Sequence, residues 1–147
     1  MVSVRRAGLV DLPALQLLSE DLPDMDWQHW LNATDYFTDL AEDTRLFGFV
    51  TVGPADNEAT GEIAAFYVKP DHRRHGVGKK LLVRGLTVLK RRGYESAQIW
   101  LPPDALSAIQ TLAALKFEAD GTERYLNAAD GSTRFEVVFK LSLDTYF

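Results

Sequence analysis

The residues best suited to chemistry lie in one short segment between positions 68 and 82. Val68 ends an apolar run, Pro70 interrupts it, and a basic turn follows that contains the spaced glycines Gly76 and Gly78. Backbone N–H groups can approach a ligand closely at glycine, and the first turn of the helix predicted to follow offers unpaired N–H donors and the positive end of its dipole. This arrangement predicts a binding site for an anion, with phosphate as the obvious ligand.

The charge distribution points to the same segment. From Arg73 to Arg92 the sequence contains eight Lys or Arg residues and no Asp or Glu, whereas the whole chain has 16 basic and 21 acidic residues. An acidic chain thus concentrates half of its positive charge beside one turn, which favours a polyphosphate ligand. The alternative interpretation is a basic helix N-terminus that faces water.

Length and composition are those of an ordinary soluble domain. The chain has 147 residues, 46% hydrophobic and 25% charged, which predicts a single domain over residues 1–147. The absence of cysteine excludes disulfides, thiolate metal sites and a cysteine nucleophile. No apolar run is long enough for a signal sequence or a membrane span, so we expect a cytoplasmic protein without a membrane partner. The formal net charge of −5 argues against a nucleic-acid partner.

The order of apolar patterns predicts the fold class. Strands and helices follow in the order β-α-α-β-β-β-α-β-α-β-β, which indicates a mixed α/β (α+β) domain with a mostly antiparallel central sheet flanked by helices. Asp11 and Asp104 are candidate helix N-caps, and Gly93 is expected to end the helix after the basic turn. Trp27 and Trp30 either line a cleft or cover the core.

The central segment resembles the acetyl-CoA motif of the GNAT superfamily of N-acetyltransferases. The matching residues read Val68-x-Pro70-x-x-Arg73-x-x-Gly76-x-Gly78-x-x-Leu81-Leu82, and Phe117 stands where the family has the phenylalanine of its Gly-Phe pair. The resemblance covers essentially the whole chain. It implies a GNAT-like acyl-CoA N-acyltransferase fold, acetyl-CoA as the acyl donor, and a primary amine of a small molecule or peptide as the acceptor in a ternary complex.

The resemblance also implies roles for particular residues. Backbone amides of the segment from Arg74 to Lys79 would hold the pyrophosphate of CoA, and the strand that ends at Val68 would pair with the pantetheine arm. The predicted cofactor-binding residues are Phe66, Tyr67, Val68, Arg73, Arg74, His75, Gly76, Val77, Gly78 and Lys79. Trp27 and Trp30 are candidate contacts for the substrate amine.

Glu62 is the candidate general base. An ammonium group with a pKa near 10.4 must lose a proton before it can attack a thioester. Glu62 lies 11 residues before Arg73 on the preceding strand, the offset at which several family members carry a glutamate that accepts this proton. The alternative is a glutamate at a strand start that faces solvent.

The chain departs from the family pattern around the last predicted helix. Leu112 occupies the position of the tyrosine that commonly protonates the leaving thiolate, and Lys116 stands where glycine is usual. Tyr125 and Ser107 are candidate replacements for this acid. The remaining option is that no acid is used, because a thiol with a pKa of about 8.5 can leave as thiolate near neutral pH.

Other functions and sites are less well supported. We predict no metal site, because His72 and His75 lie in the basic turn and His29 is far from both in the sequence. A non-catalytic acyl-CoA-binding regulatory module is the alternative function, motivated by Leu112. Nucleic-acid binding through the basic helix is disfavoured by the acidic remainder of the chain. The oligomeric state is open, with a homodimer as one option.

Overall fold

The computed structural model describes residues 2–22, 25–73 and 76–145, and within them seven strands form one sheet in the order β1-β2-β3-β4-β5-β7-β6. The strands are β1 Ser3–Arg6, β2 Phe37–Glu42, β3 Leu46–Pro54, β4 Thr60–Val68, β5 Ser96–Leu101, β6 Glu118–Asn127 and β7 Thr133–Ser142. The helices are α1 Leu12–Leu18, α2 Trp27–Asn32, α3 Val77–Arg91 and α4 Leu106–Ala114, with short 3-10 turns at Leu9–Asp11, Pro70–His72 and Leu143–Thr145. The predicted element order and the mixed α/β class are confirmed.

One pair of neighbouring strands differs from the others in the sheet. Neighbouring strands in the described part of the chain pair antiparallel except β4 and β5, which run parallel and pair only at Thr60–Glu62 with Ser96–Gln98. Beyond Glu62 the two strands separate, while β4 continues its pairing with β3 as far as Val68. The β3–β4 register shifts between Ile63 and Ala65, so Ala64 forms a bulge. A cleft therefore opens within the sheet where β4 leaves β5.

Two apolar cores cover the two faces of the sheet. Alternate residues of a strand point to opposite faces, and consecutive residues of β3 divide accordingly, Val50 into the larger core with α3 and α4 and Phe49 into a smaller core with α1 and α2. An apolar face of α3 is buried against the larger core through Leu81, Leu82, Leu86 and Leu89. The helix thus lies across the sheet with its first turn at the open end of the cleft.

The helix ends follow the sequence only in part. Gly93 has φ +94° and ends α3 as predicted, with the Tyr94 N–H donating to Leu89 O at 3.1 Å. Asp11 lies at the N-cap of α1, but its carboxylate accepts the Gly8 N–H at 2.9 Å and pairs with Arg5 instead of capping that helix. Asp104 as an N-cap was wrong by one residue, because α4 begins at Leu106 with Ala105 in the N-cap position.

Candidate functional site

The cleft between β4 and α4 has a volume of about 700 Å³, within the range of small-molecule sites. Its far wall is formed by Leu101 at the end of β5 and by one side of the segment from Asp104 to Ala114. Its near wall and open end contain seven of the predicted cofactor residues: Phe66, Tyr67, Val68, Arg73, Gly76, Gly78 and Lys79. The structure therefore brings together residues that the sequence segment predicted to act together.

The remaining predicted cofactor residues stand apart from this lining. The Val77 side chain is buried in the larger core below the turn, so only its backbone could serve a ligand. Arg74 and His75 lie outside the described residues. Assignment of this whole set to a cofactor stays a prediction.

The turn before α3 is shaped by backbone geometry. Gly76 is the N-cap of α3 and has φ +78°, a left-handed conformation that disfavours residues with a Cβ. The Arg73 Nε donates to Val68 O at 2.8 Å, and its guanidinium lies 5.9 Å from the centre of the Tyr67 ring. Arg73 thus fixes the turn to the end of β4, and the first N–H groups of α3 are presented beside the cleft.

The positive charge of this segment is more dispersed than the sequence interpretation held. Arg84 donates to Asp39 at 3.2 Å, Lys90 donates to Asp144 at 3.0 Å, and the Arg92 guanidinium lies 5.2 Å from the centre of the Phe37 ring. These contacts involve the middle and end of α3 and tie it to the sheet and the C-terminal turn. The interpretation that all eight charges lie beside the turn is therefore corrected: Arg73 and Lys79 line the cleft, and part of the remaining charge serves packing.

Glu62 lies where β4 and β5 separate and is not among the residues that line the cleft. It belongs to the last β4–β5 ladder pair, and its partner Gln98 donates Nε2 to Glu62 Oε1 at 2.9 Å. Ile63, the next residue, packs in the larger core, so Glu62 points to the other face of the sheet. A half-buried carboxylate at the point of strand separation can accept a proton from a group that enters from that face.

Tyr36 forms the other flank of Glu62. Gly53 is the β3 partner of Glu62, and a Cβ added at Gly53 would overlap the Tyr36 ring. Burial raises the pKa of the Tyr36 hydroxyl, and the nearby carboxylates of Asp35 and Glu62 raise it further. The Tyr36 hydroxyl therefore stays protonated at physiological pH.

The two tryptophans lie beneath this surface. Trp27 is 4% exposed and Trp30 is 9% exposed, with ring centres 5.3 Å apart, and Trp27 Nε1 donates to Ser19 Oγ at 2.8 Å. The Trp30 ring stacks at 6.4 Å on Tyr36. The structure thus places both indoles in the smaller core, where Trp30 packs against Tyr36. Direct contact of either tryptophan with a substrate stays a prediction.

Sequence reasoning missed Gln98 and Tyr36. Gln98 carried a usable signal, since it is a polar residue in the otherwise apolar strand Ala97–Leu101, as Glu62 is in β4. Tyr36 carried a weaker one, because an aromatic residue next to a predicted strand is common in any core. Neither could be linked to Glu62 before the strand register was known.

Leu112 replaces the family's tyrosine on α4, but other residues with hydroxyl groups lie on the α4 side of the cleft. Leu112 is fully buried in the larger core, whereas Ser107 and Thr111 line the cleft. Tyr125 is 72% exposed on β6 and is not among the lining residues. Of the two candidate acids, Ser107 is therefore the one that the structure places in the cleft.

His72 ties the basic turn to the β2–β3 hairpin. Its ring stacks on Phe47 at 4.0 Å, and its two nitrogens lie 2.9 Å from Asp71 Oδ1 and 3.4 Å from Asp43 Oδ2. The hydrogen bond to Asp71, followed by that to Asp43, raises the pKa of His72 above 6.5.

Among the described residues no cluster of three His, Cys, Asp or Glu side chains could hold a metal ion. In the same part of the chain no helix combines the length and apolarity needed to cross a membrane.

Comparison with known proteins agrees with these features. The model of the acetyltransferase (GNAT) family matches residues 9–117. The mycothiol acetyltransferase of Renibacterium salmoninarum is 25% identical over 123 residues, covering 79% of this chain and 36% of that protein. The uncharacterized N-acetyltransferase YuaI of Bacillus subtilis is 27% identical over 124 residues, covering 69% of this chain and 72% of that protein. The chain spans only about a third of the length of the mycothiol acetyltransferases that it matches.

Solved structures share the fold over nearly the whole chain. Arabidopsis thaliana NAA60 in complex with acetyl-CoA superimposes with a TM-score of 0.82 at 16% identity, covering 98% of this chain and 99% of that one. The ribosomal-protein-S18-alanine N-acetyltransferase of Escherichia coli gives a TM-score of 0.78 at 20% identity, with coverages of 97% and 94%. The fold that the sequence resemblance implied is confirmed.

Proposed function

Because the chain belongs to the acetyltransferase (GNAT) family, we propose that it acts as one domain that transfers an acetyl group from acetyl-CoA to a primary amine, by direct attack in a ternary complex. The observation that carries the proposal is the cleft between the separating strands β4 and β5, with a glycine turn and a helix N-terminus at its open end. We place the reaction in the cytoplasm, which the lack of cysteine supports.

The cofactor half of the reaction follows from the near wall of the cleft. In the proposal, the backbone N–H groups of the first α3 turn and the Lys79 ammonium bind the pyrophosphate, since both supply positive potential to an anion. From Ile63 to Val68, β4 pairs with β3 on one edge and has no β5 partner on the other, so backbone groups are available to an extended pantetheine arm. Phe66, Tyr67 and Val68 lie along that edge.

The acceptor half follows from the opposite face of the sheet. Glu62 removes the proton that the ammonium must lose, directly or through a water, so that the neutral amine attacks the thioester carbon. Attack forms the C–N bond, and collapse of the tetrahedral intermediate breaks the C–S bond and releases CoA as thiolate or thiol. Ser107 is the cleft hydroxyl available to the departing sulfur, since the Thr111 hydroxyl donates to Ser107 O at 3.1 Å.

The acceptor is a small molecule or a peptide in this proposal. The relatives carry names of both kinds, a mycothiol acetyltransferase and a ribosomal-protein alanine acetyltransferase. Asp35 and Glu62 beside Tyr36 favour an acceptor that arrives as a cation, because opposite charge raises its local concentration.

Calorimetry and a thiol-release assay test the two halves separately. We expect acetyl-CoA to bind in the micromolar range and at least one amine of a panel to cause CoA release. Absence of binding at hundreds of micromolar would refute the proposal. Binding without release for any amine would instead identify an acyl-CoA-binding module.

Glu62→Gln tests the base. We expect kcat/KM for the amine to fall by about 100-fold or more near neutral pH, since general base catalysis typically contributes that much. The dissociation constant for acetyl-CoA should stay within about twofold, because Glu62 lies on the acceptor face. Glu58→Gln, the same change in the exposed β3–β4 loop, is the matched control and should behave as wild type. Equal activity of the two variants across pH would remove Glu62 from the mechanism.

A further inference from the structure

Packing alone does not explain why a buried glutamine side chain is paired with Glu62. Gln98 is 7% exposed, and its neighbours Ala97 and Ile99 belong to the larger core. Burying a primary amide is unfavourable unless its hydrogen-bonding groups are satisfied, and an apolar side chain would fill this strand position without that requirement. The amide donates a 2.9 Å hydrogen bond from Nε2 to Glu62 Oε1.

The chemistry of the contact fixes its direction. An ionised carboxylate can only accept, so the amide presents its NH2 group to Glu62. The bond engages one carboxylate oxygen and restricts rotation of the side chain, which leaves Oε2 as the oxygen available to an incoming group. A donor to a carboxylate favours its charged form, which is the form that can accept a proton.

Other titratable groups lie on either side of Glu62. Tyr36 lies on the β2 side, and Asp35, Tyr94 and Asp26 are close enough to act on its hydroxyl. From β7 comes Lys140, the ladder partner of Gln98, whose ammonium is paired at 3.0 Å with Asp120. Among the described contacts, the hydrogen bond to the Glu62 carboxylate comes from Gln98.

We propose that Gln98 is a positioning residue for proton transfer at Glu62, holding one carboxylate oxygen at the point where β4 and β5 separate so that the other faces the acceptor amine. The inference rests on the proposed function for its catalytic meaning. The placement itself rests on the ladder register, the burial of Gln98 and the hydrogen bond.

Gln98→Met is the main test, because methionine matches the shape of glutamine and cannot donate. We expect the acidic limb of the kcat/KM profile for the amine to move to higher pH by roughly one unit, the size expected for loss of a hydrogen bond to a charged group. Activity should fall at the acidic end of the profile and approach wild type at its alkaline end, with acetyl-CoA affinity within about twofold. Gln98→Glu should move the limb further in the same direction, because two adjacent carboxylates resist joint ionisation.

Thr51→Val is the control for disturbance of the sheet. Thr51 is fully buried and exchanges a 2.8 Å hydrogen bond with Thr38, so its loss destabilises the same sheet without contact to Glu62. This variant should unfold at lower temperature and keep the wild-type pH profile. A Gln98→Met profile that superimposes on wild type, or that falls by the same factor at every pH, would overturn the inference.

A readout without turnover separates this inference from the proposed function. The ¹³C resonance of the Glu62 carboxyl, identified by its loss in Glu62→Gln, reports the titration midpoint directly. If wild type releases no CoA with any amine but Gln98→Met raises this midpoint, the proposed function fails and the Glu62–Gln98 coupling stands. If turnover is normal and the midpoint does not move, the Gln98 inference fails alone.

Discussion

Helix α4 ends at a residue whose backbone is left-handed although the residue carries a side chain. Lys116 has φ +73°, and its N–H and the N–H of Phe117 donate to Ala113 O and Leu112 O, both at 3.0 Å. The end of α3 has the same pattern with Gly93 at φ +94°. For a residue with a Cβ this left-handed conformation costs roughly 1–2 kcal/mol, so α4 carries a strain that α3 does not.

Three terms decide the effect of Lys116→Gly. The change removes the left-handed strain, which stabilises the folded state. It also destabilises the folded state in two ways: glycine gives the unfolded chain more conformational entropy, worth about 0.4–1 kcal/mol, and the negative end of the helix loses a cation, worth about 0.3–1 kcal/mol. Lys116→Ala loses the same charge and keeps the Cβ. The difference between the two variants thus isolates the backbone terms, and we expect Lys116→Gly to be more stable than Lys116→Ala by about 1 kcal/mol.

Urea unfolding followed by circular dichroism measures this difference, which corresponds to about 2–4 °C in Tm for a chain of this size. Gly93→Ala is the reciprocal variant and should lose about 1 kcal/mol or more. The reasoning is refuted if Lys116→Gly and Lys116→Ala are equally stable while Gly93→Ala is destabilised, because the shared hydrogen-bond pattern would then not imply shared strain.

Three further predictions concern charge and the acceptor face. The Asp11 carboxylate is held by Arg5, which lowers its pKa below 3.8, so its stabilising effect is present above that pH and lost as the pH falls through the lowered value; Asp11→Asn should therefore flatten the acidic part of the stability profile measured by urea unfolding between pH 5 and 2. His72 has a raised pKa, so its contribution is full below pH 6.5 and is lost as the pH rises through the higher folded value. Accordingly His72→Phe, which can keep an aromatic stack, should lower Tm at pH 6 and have less effect at pH 9. Gly53→Ala should displace Tyr36 and raise KM for the amine severalfold in the thiol-release assay, and unchanged KM would show that Tyr36 does not shape the acceptor face.

The cofactor side of the site could be predicted because it is local in the sequence. Phe66 to Lys79 form one strand–turn–helix segment, and the glycines, the proline and the leucine periodicity specify it without knowledge of distant residues. The element order and the apolar face of α3 followed from periodicity for the same reason.

The acceptor side could not be predicted in this way. Tyr36, Gly53, Glu62 and Gln98 come from four separate stretches and meet only through the register of β3, β4 and β5. Likewise the ion pairs of α3 with Asp39 and Asp144 join residues more than 40 positions apart, so the charge count suggested a concentration that folding disperses. The prediction of Asp104 as the N-cap of α4 was wrong because it used residue type alone, whereas the backbone conformation of the preceding loop determines where the helix begins.

The short pairing between β4 and β5 also affects the order in which the sheet folds and where it unfolds locally. Strands β1 to β4 follow one another in the chain and in the sheet, and β5 to β7 form a second local group, so each group can form from nearby partners. Joining the two groups requires Thr60–Glu62 to pair with Ser96–Gln98, which lie on either side of α3 in the sequence. We expect this seam to form last and to open first in native-state hydrogen exchange. Glu62 belongs to this pairing, so the proposed base lies where we expect the two groups of strands to separate first.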